Sequence, residues 1–268
     1  MGKWLNWIIV FCIGAAITVV LYIANEQQKK KILTKPEISI DVKGENAFLT
    51  EKELYQRLLR KGYIFKSQSF NELNVDRIEN YIKQMTEVLD AKVYANLGNN
   101  WNIDVEIRKP IARIFNQYNE NFYLDELGHT IQPSYLYTAR VVVVNGYILD
   151  KLGILTVNKI INNKSLITNY CLDDIYRISK YVCNNPFLNH LIGQIYREKT
   201  GDFVLIPRVG DQKIVFGKAS SFKEVQVKFR KLAEFYKFGL PFEGWNAYSE
   251  INLVYDNQIV CTKKEMKI

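Results

Sequence analysis

The sequence predicts an α+β protein on a membrane anchor. It reads as one N-terminal transmembrane helix, a small domain of order βααββ, and a larger mixed domain with an antiparallel sheet and helices on one face. Three observations predict this. An uncharged apolar run occupies residues 7–24. Two stretches, 89–97 and 101–107, alternate apolar and polar residues around Gly98-Asn99-Asn100. Beyond Pro110, short β-patterned runs are interleaved with two amphipathic helical patterns, at 171–182 and 222–236.

The apolar run reads WIIVFCIGAAITVVLYIA, broken only by Gly14 and Thr18. With Leu5 and Asn6 it reaches about 20 residues, roughly 30 Å of helix, enough to cross the hydrocarbon of a bilayer. Trp4, Trp7 and Tyr22 sit near its ends, where amphipathic rings favour the headgroup region. A cleaved signal peptide would have a shorter apolar core followed by a small-x-small site, and Tyr22-Ile23-Ala24-Asn25 is a poor one. The run is therefore expected to be an uncleaved anchor at 7–24, with a short tail at 1–6. Residues 25–36, polar and basic, are a linker or a frayed extension of the helix. Lys29, Lys30, Lys31 and Lys35 follow the span while Lys3 precedes it, so the positive-inside tendency favours a cytoplasmic large domain. That tendency is weak ahead of a long domain, and charge alone leaves the orientation open.

About 240 residues follow the anchor, enough for one large or two modest domains. The 13% aromatic content, with 17 Tyr, supports a packed core rather than disorder. A net charge of +8 would suit nucleic acid, anionic lipid or an acidic partner. The basic residues are spread along the chain, however, which favours a solvated surface. Of the four cysteines, Cys12 lies in the span; Cys171, Cys183 and Cys261 are no disulfide framework. On one helix, Cys171 and Cys183 would lie about 18 Å apart, too far to bond.

In chain order, 38–42 alternates as a short strand and Gly44 with Asn46 makes a turn. Thr50 and Glu53 form a capping box, after which Leu54, Tyr55, Leu58 and Leu59 share a helix face that stops at Gly62. Asn74 caps a second helix carrying Ile78, Tyr81, Ile82 and Met85. The two alternating runs then make a hairpin with one buried face, Leu89, Ala91, Val93, Ala95 and Leu97 against Trp101, Ile103, Val105 and Ile107. Strand, helix, helix, strand, strand is the order of a POTRA domain, here 37–108. Pro110 ends a strand or marks an edge, which puts the domain boundary there.

The second domain, 109–262, offers a strand into a turn at 122–128, a core strand at 141–144 and a helix with Cys171, Ile175, Ile178 and Val182. Strands follow near 192–196, 203–206 and 213–216. A helix capped by Ser221 and Glu224 comes next, with Phe222, Val225, Phe229, Leu232 and Tyr236 inward and Gly239 with Pro241 at its end. Its Lys223, Lys228, Arg230, Lys231 and Lys237 read as a solvated face. Ile251, Leu253 and Tyr255 alternate in a late strand, and 258–261 can form one more before a basic tail at 263–268. A strand so close to the terminus has nothing after it in sequence to cover its outer edge, so it is a candidate to accept a strand from another chain.

The blocks RKPIARIF (108–115), FYLDELGHTI (122–131), VVNGYI (143–148) and SEINLVYDNQIVCTK (249–263) resemble the cell-division family FtsQ, called DivIB in some bacteria. The order of tail, span, POTRA domain and β domain also fits, so the resemblance covers essentially the whole chain. It implies a non-enzymatic scaffold of the division septum with no cofactor. It also implies a cytoplasmic N-terminus and a large part outside the cytoplasmic membrane, against the lysine count. The implied partners are the small single-span proteins FtsB and FtsL, with regulation of peptidoglycan synthesis by FtsW and FtsI. Carried over position by position, the family's contact with FtsB falls on Tyr255, Asn257, Gln258, Ile259, Val260 and Lys263.

Enzyme signatures are weak by comparison. His129 and His190 lack metal-ligand spacing. Asp125-Glu126 and Asp173-Asp174 are adjacent pairs, the latter suited to a helix N-terminus. Gly217-Lys218-Ala219 lacks the spacing of a phosphate loop, and there is no G-x-S-x-G. The competing classes are a membrane-tethered POTRA chaperone or export factor that binds clients at 38–42, and an envelope enzyme with a site dispersed in sequence.

Overall fold

The computed structural model describes residues 2–42, 48–96 and 99–264, which fall into two units. The first is the chain up to Val42 with Leu49–Ile107, and the second is Phe48 with the chain from Arg108 onward. The expected turn at Gly44 and Asn46, the stretch at Leu97 and Gly98, and the tail beyond Lys264 lie outside the described residues.

In the first unit, helix α1 (Gly2–Lys29) is long and apolar enough to cross a membrane, and none of its apolar window is buried against protein. The helical alternative for residues 25–29 is the one realised. Strand β1 (Glu37–Asp41), helices α2 (Glu51–Arg60) and α3 (Val75–Lys83), and strands β2 (Val88–Ala95) and β3 (Trp101–Ile107) follow. The sheet order is β1-β3-β2, with β1 parallel and β2 antiparallel to β3. Period-two patterning holds throughout β3, where Trp101, Ile103, Val105 and Ile107 are all buried. In β2 a bulge between Val88 and Asp90 changes the phase, so Val88 is buried and Leu89 only half-buried. Thr50 accepts the Glu53 N–H, Asn74 accepts that of Arg77, and Leu54, Leu58, Ile78 and Ile82 complete the core.

The second unit begins with β4 (Pro110–Phe115), β5 (Asn121–Asp125), β6 (Thr130–Ile131) and β7 (Val142–Gly146). Helices α4 (Val157–Ile161), α5 (Lys164–Asn169), α6 (Leu172–Asn184) and α7 (Pro186–Leu191) come next. After β8 (Ile192–Arg197), β9 (Phe203–Pro207) and β10 (Lys213–Gly217), α8 (Phe222–Glu234) passes through a π-helical turn (Phe235–Gly239) into α9 (Leu240–Glu243). Strands β11 (Tyr248–Asn252) and β12 (Val260–Lys263) close the described chain. The nine strands form one sheet, order β12-β11-β10-β9-β8-β7-β4-β5-β6.

Several details differ from the sequence expectations. The sheet is mixed rather than purely antiparallel, because β4–β7, β7–β8 and β10–β11 run parallel. Pro110 opens β4, where its missing N–H is harmless. Gly239 and Pro241 do not end the α8 pattern. The chain continues through the π turn and α9, and stops at Gly244, whose φ of 96° favours glycine. Phe222 is exposed, while Val225, Phe229, Leu232 and Tyr236 enter the core. Lys228 is not solvated: its ammonium is buried between the Glu224 carboxylate and the Lys218 carbonyl.

Buried ion pairs explain two of the sequence blocks. Arg108 reaches the 1%-exposed Asp125 at 2.7 Å, and the same carboxylate accepts the N–H groups of Leu127 and His129. The block at 108–115 is thereby locked to that at 122–131. Gly146 holds φ 105° where an added Cβ would meet the Arg197 carbonyl oxygen, so only glycine lets β7 approach β8 there. On the helical side, Asp150 accepts the N–H groups of Cys171 and Leu172 and anchors the start of α6. Arg177 joins Asp173 and Asp174 at 2.6 Å each and donates to the Ala219 carbonyl. All four cysteines are free.

Candidate partner-binding edge

Among the described residues, strand β12 forms one outer edge of the nine-stranded sheet, paired only with β11. Its register sets Tyr248 opposite Lys263, Glu250 opposite Thr262, Ile251 opposite Cys261 and Asn252 opposite Val260. The jump from 248 to 250 leaves Ser249 as the extra residue, so the bulge belongs to β11 and β12 keeps its alternation. The Lys264 N–H donates to the Ala247 carbonyl at 2.9 Å, and the Ser249 hydroxyl donates to the Thr262 carbonyl at 3.2 Å. Residues 264 and 262 therefore turn their main-chain groups inward to β11, and Val260 follows by alternation. The N–H and C=O groups of Cys261 and Lys263 point outward.

Side chains alternate in the perpendicular direction. Ile259 and Cys261 pack half-buried on the core, while Val260 is 41% exposed and Thr262 is exposed. Lys263 pairs with Glu243 of α9 at 3.2 Å, a contact between two exposed groups and so a weak one. Beside Glu243, Phe242 is 89% exposed.

The loop into β12 is held by a lysine. The Lys231 ammonium of α8 donates to the carbonyls of Leu253, Tyr255 and Asp256. Burial pulls its pKa below the ordinary lysine range, against an opposing pull from Asp256. The Asn252 side chain accepts the Val254 N–H at 3.0 Å and breaks the alternation expected to run on to Tyr255.

Of the six candidate residues, Val260 and Lys263 stand in β12 and Ile259 immediately precedes it. Tyr255, Asn257 and Gln258 lie exposed in the loop rather than in a strand. Lys231, the outward backbone of Cys261 and the exposed Phe242 were not among the sequence candidates. An apolar signal for Phe242 is present in the sequence, because Phe242 and Trp245 follow Phe238 beyond Gly239, the glycine expected to end α8.

No three His, Cys, Asp or Glu side chains group as a metal site among the described residues. A family model described as FtsQ/DivIB, C-terminal related, matches residues 109–262, more than half of the chain. The chain belongs to the FtsQ/DivIB family. A second model, a POTRA-like domain, matches residues 32–106. No curated protein matches the chain. FtsQ/DivIB proteins are non-catalytic scaffolds of cell division, which makes protein–protein contact the activity to locate. The exposed apolar α1 fits a single-pass membrane protein of that family.

Proposed function

We propose that this chain is a septal scaffold that accepts a β-strand from a small single-span partner of the FtsB or FtsL type along β12. Through that partner it helps to control septal peptidoglycan synthesis by FtsW and FtsI. In this reading the N-terminus is cytoplasmic and both folded units lie outside the cytoplasmic membrane. The observation that carries it is the outward-pointing backbone of Cys261 and Lys263 on an edge strand whose outer side no other described strand covers. Main-chain hydrogen bonds supply affinity, and the alternate side chains Val260 and Thr262 supply selectivity. Tyr255, Asn257 and Gln258, on the loop that Lys231 fixes, are placed to meet the incoming segment where it passes the end of β12.

A photo-crosslinking residue at Val260 tests this in dividing cells; Ile259 is a poorer probe because it packs on the core. Capture of a small single-span protein supports the proposal. A folded, complementing variant that captures no such protein at Val260 or Thr262 removes the interface from this edge.

A further inference from the structure

The POTRA-like unit is tied directly to the end of α1. Phe70 donates its N–H to the Lys31 carbonyl at 2.9 Å, Leu33 donates to the Gln68 carbonyl at 2.8 Å, and Ile32 bridges Ser69. On the other side, the Thr34 N–H donates to the Asn99 carbonyl, and the Trp101 indole donates to the Thr34 carbonyl at 3.0 Å. The loop between Ile64 and Phe70 is itself braced, because the buried Gln68 amide reaches the carbonyls of Tyr63 and Glu72. Residues 31–34 are therefore a fixed joint.

That joint lies at a defined height. If the apolar run ends at Ala24, the helix end at Lys29 stands about 7.5 Å further along, at 1.5 Å per helical residue, and Lys31 follows directly after the turn that closes the helix. The headgroup layer beyond the hydrocarbon is about 5–7 Å deep on each side. Whatever is bonded to residues 31–33 thus sits at the outer surface of the headgroups, within reach of a long side chain. The residues presented there suit such a surface. Ile32 is 57% and Phe65 46% exposed, and Lys30, Lys31 and Lys66 are exposed around them. Of the nearby carboxylates, Glu26 is paired with Lys29, and Glu72 keeps its charge but is turned into hydrogen bonds with Ser69.

We propose that residues 30–32 and the loop 64–70 form a lipid-facing foot on which the POTRA-like unit stands. Ile32 and Phe65 enter the headgroup boundary, and Lys30, Lys31 and Lys66 hold anionic phospholipid headgroups. The proposal rests on α1 spanning the bilayer.

The test uses the full chain in nanodiscs of phosphatidylcholine with or without phosphatidylglycerol. A benzophenone amino acid replaces Phe65, Val20 within the span, or Asp90 at the end of β2 remote from Asn99. Lipid adducts are read by mass spectrometry. Adducts are expected at Val20 and Phe65 and not at Asp90, with the Phe65 yield raised by phosphatidylglycerol. The triple charge reversal Lys30→Glu, Lys31→Glu and Lys66→Glu should abolish that rise, since each lysine near an anionic surface carries about a fivefold preference. Circular dichroism confirms that the variant is folded. Adducts at Val20 with none at Phe65, or equal Phe65 yields in the two lipids, overturn the foot. No adduct at Val20 overturns the spanning reading instead.

Discussion

The two sheets expose edges of opposite character. In the POTRA-like unit, β1 presents Glu37 and Asp41 to solvent with Ser39 between them, and β2 presents Asp90 and Lys92 ahead of an exposed Tyr94; the charges deter an added strand. At the far end of the larger sheet, β6 has two residues, both buried. Strand β12 carries no charge until Lys263, exposes Val260 and Thr262, and aims the main chain of Cys261 and Lys263 outward. Three edges are protected by charge or brevity, and the fourth is open. The contrast favours partner binding at β12 over client binding at β1.

Proline is the strongest way to break the contrast. Cys261→Pro removes an outward N–H and puts a ring at the edge, while also giving up the half-buried Cys261 side chain. It should weaken binding of a partner fragment by about a hundredfold while a cooperative thermal transition is retained, both read on one preparation. Ser39→Pro in β1 should leave partner binding unchanged. Val260→Pro is less clean, since its N–H faces β11 and its loss also costs sheet pairing.

Lys231→Met comes next. Three carbonyls lose a shared donor, so calorimetric unfolding should show about 1–3 kcal/mol of destabilisation, with weaker partner binding as the loop into β12 loosens. Unchanged binding would mean that the loop plays no part in recognition.

Val260→Lys gives β12 the protection that β1 has. It should cost roughly tenfold in partner affinity while stability stays within about 0.5 kcal/mol. A Lys variant that binds like the parent would show that edge charge does not discriminate between the two sheets.

Asp174→Asn should have the smallest effect on partner binding and touch stability alone. Burial, then the neighbouring Asp173, raises the Asp174 pKa to about 6 despite Arg177, whereas in the unfolded chain it is about 4. Between those values the native state holds the extra proton, so this group lowers stability as pH rises from about 4 to 6. The Asn variant should therefore gain thermal stability relative to the parent at pH 7 compared with pH 4, with partner binding unmoved.

Much of this is legible in the sequence. The period-two run from Trp101 to Ile107 and the caps at Thr50, Asn74 and Ser221 are local signals, and they specify their elements. The POTRA-like order follows from them. The parallel pairing of β4 with β7 is not legible, because strand direction depends on how β5 and β6 fold back between them. Lys228 and Lys231 look like surface lysines, since the carbonyls that receive them come from residues 10 to 25 positions away. The late position of β12 is visible in the chain, but the outward aim of Cys261 depends on which alternate residues of β12 bond to β11, fixed by the Lys264–Ala247 hydrogen bond, and no residue pattern announces that.

The joint at residues 31–34 makes α1 a shaft as well as an anchor. A flexible tether passes on position alone, but a pinned helix also transmits torsion. Each residue inserted between Ala24 and Lys29 would lift the POTRA-like unit by about 1.5 Å and turn it by about 100° around the helix axis. Heading, and not only height above the membrane, is thus encoded in the length of that short helical stretch.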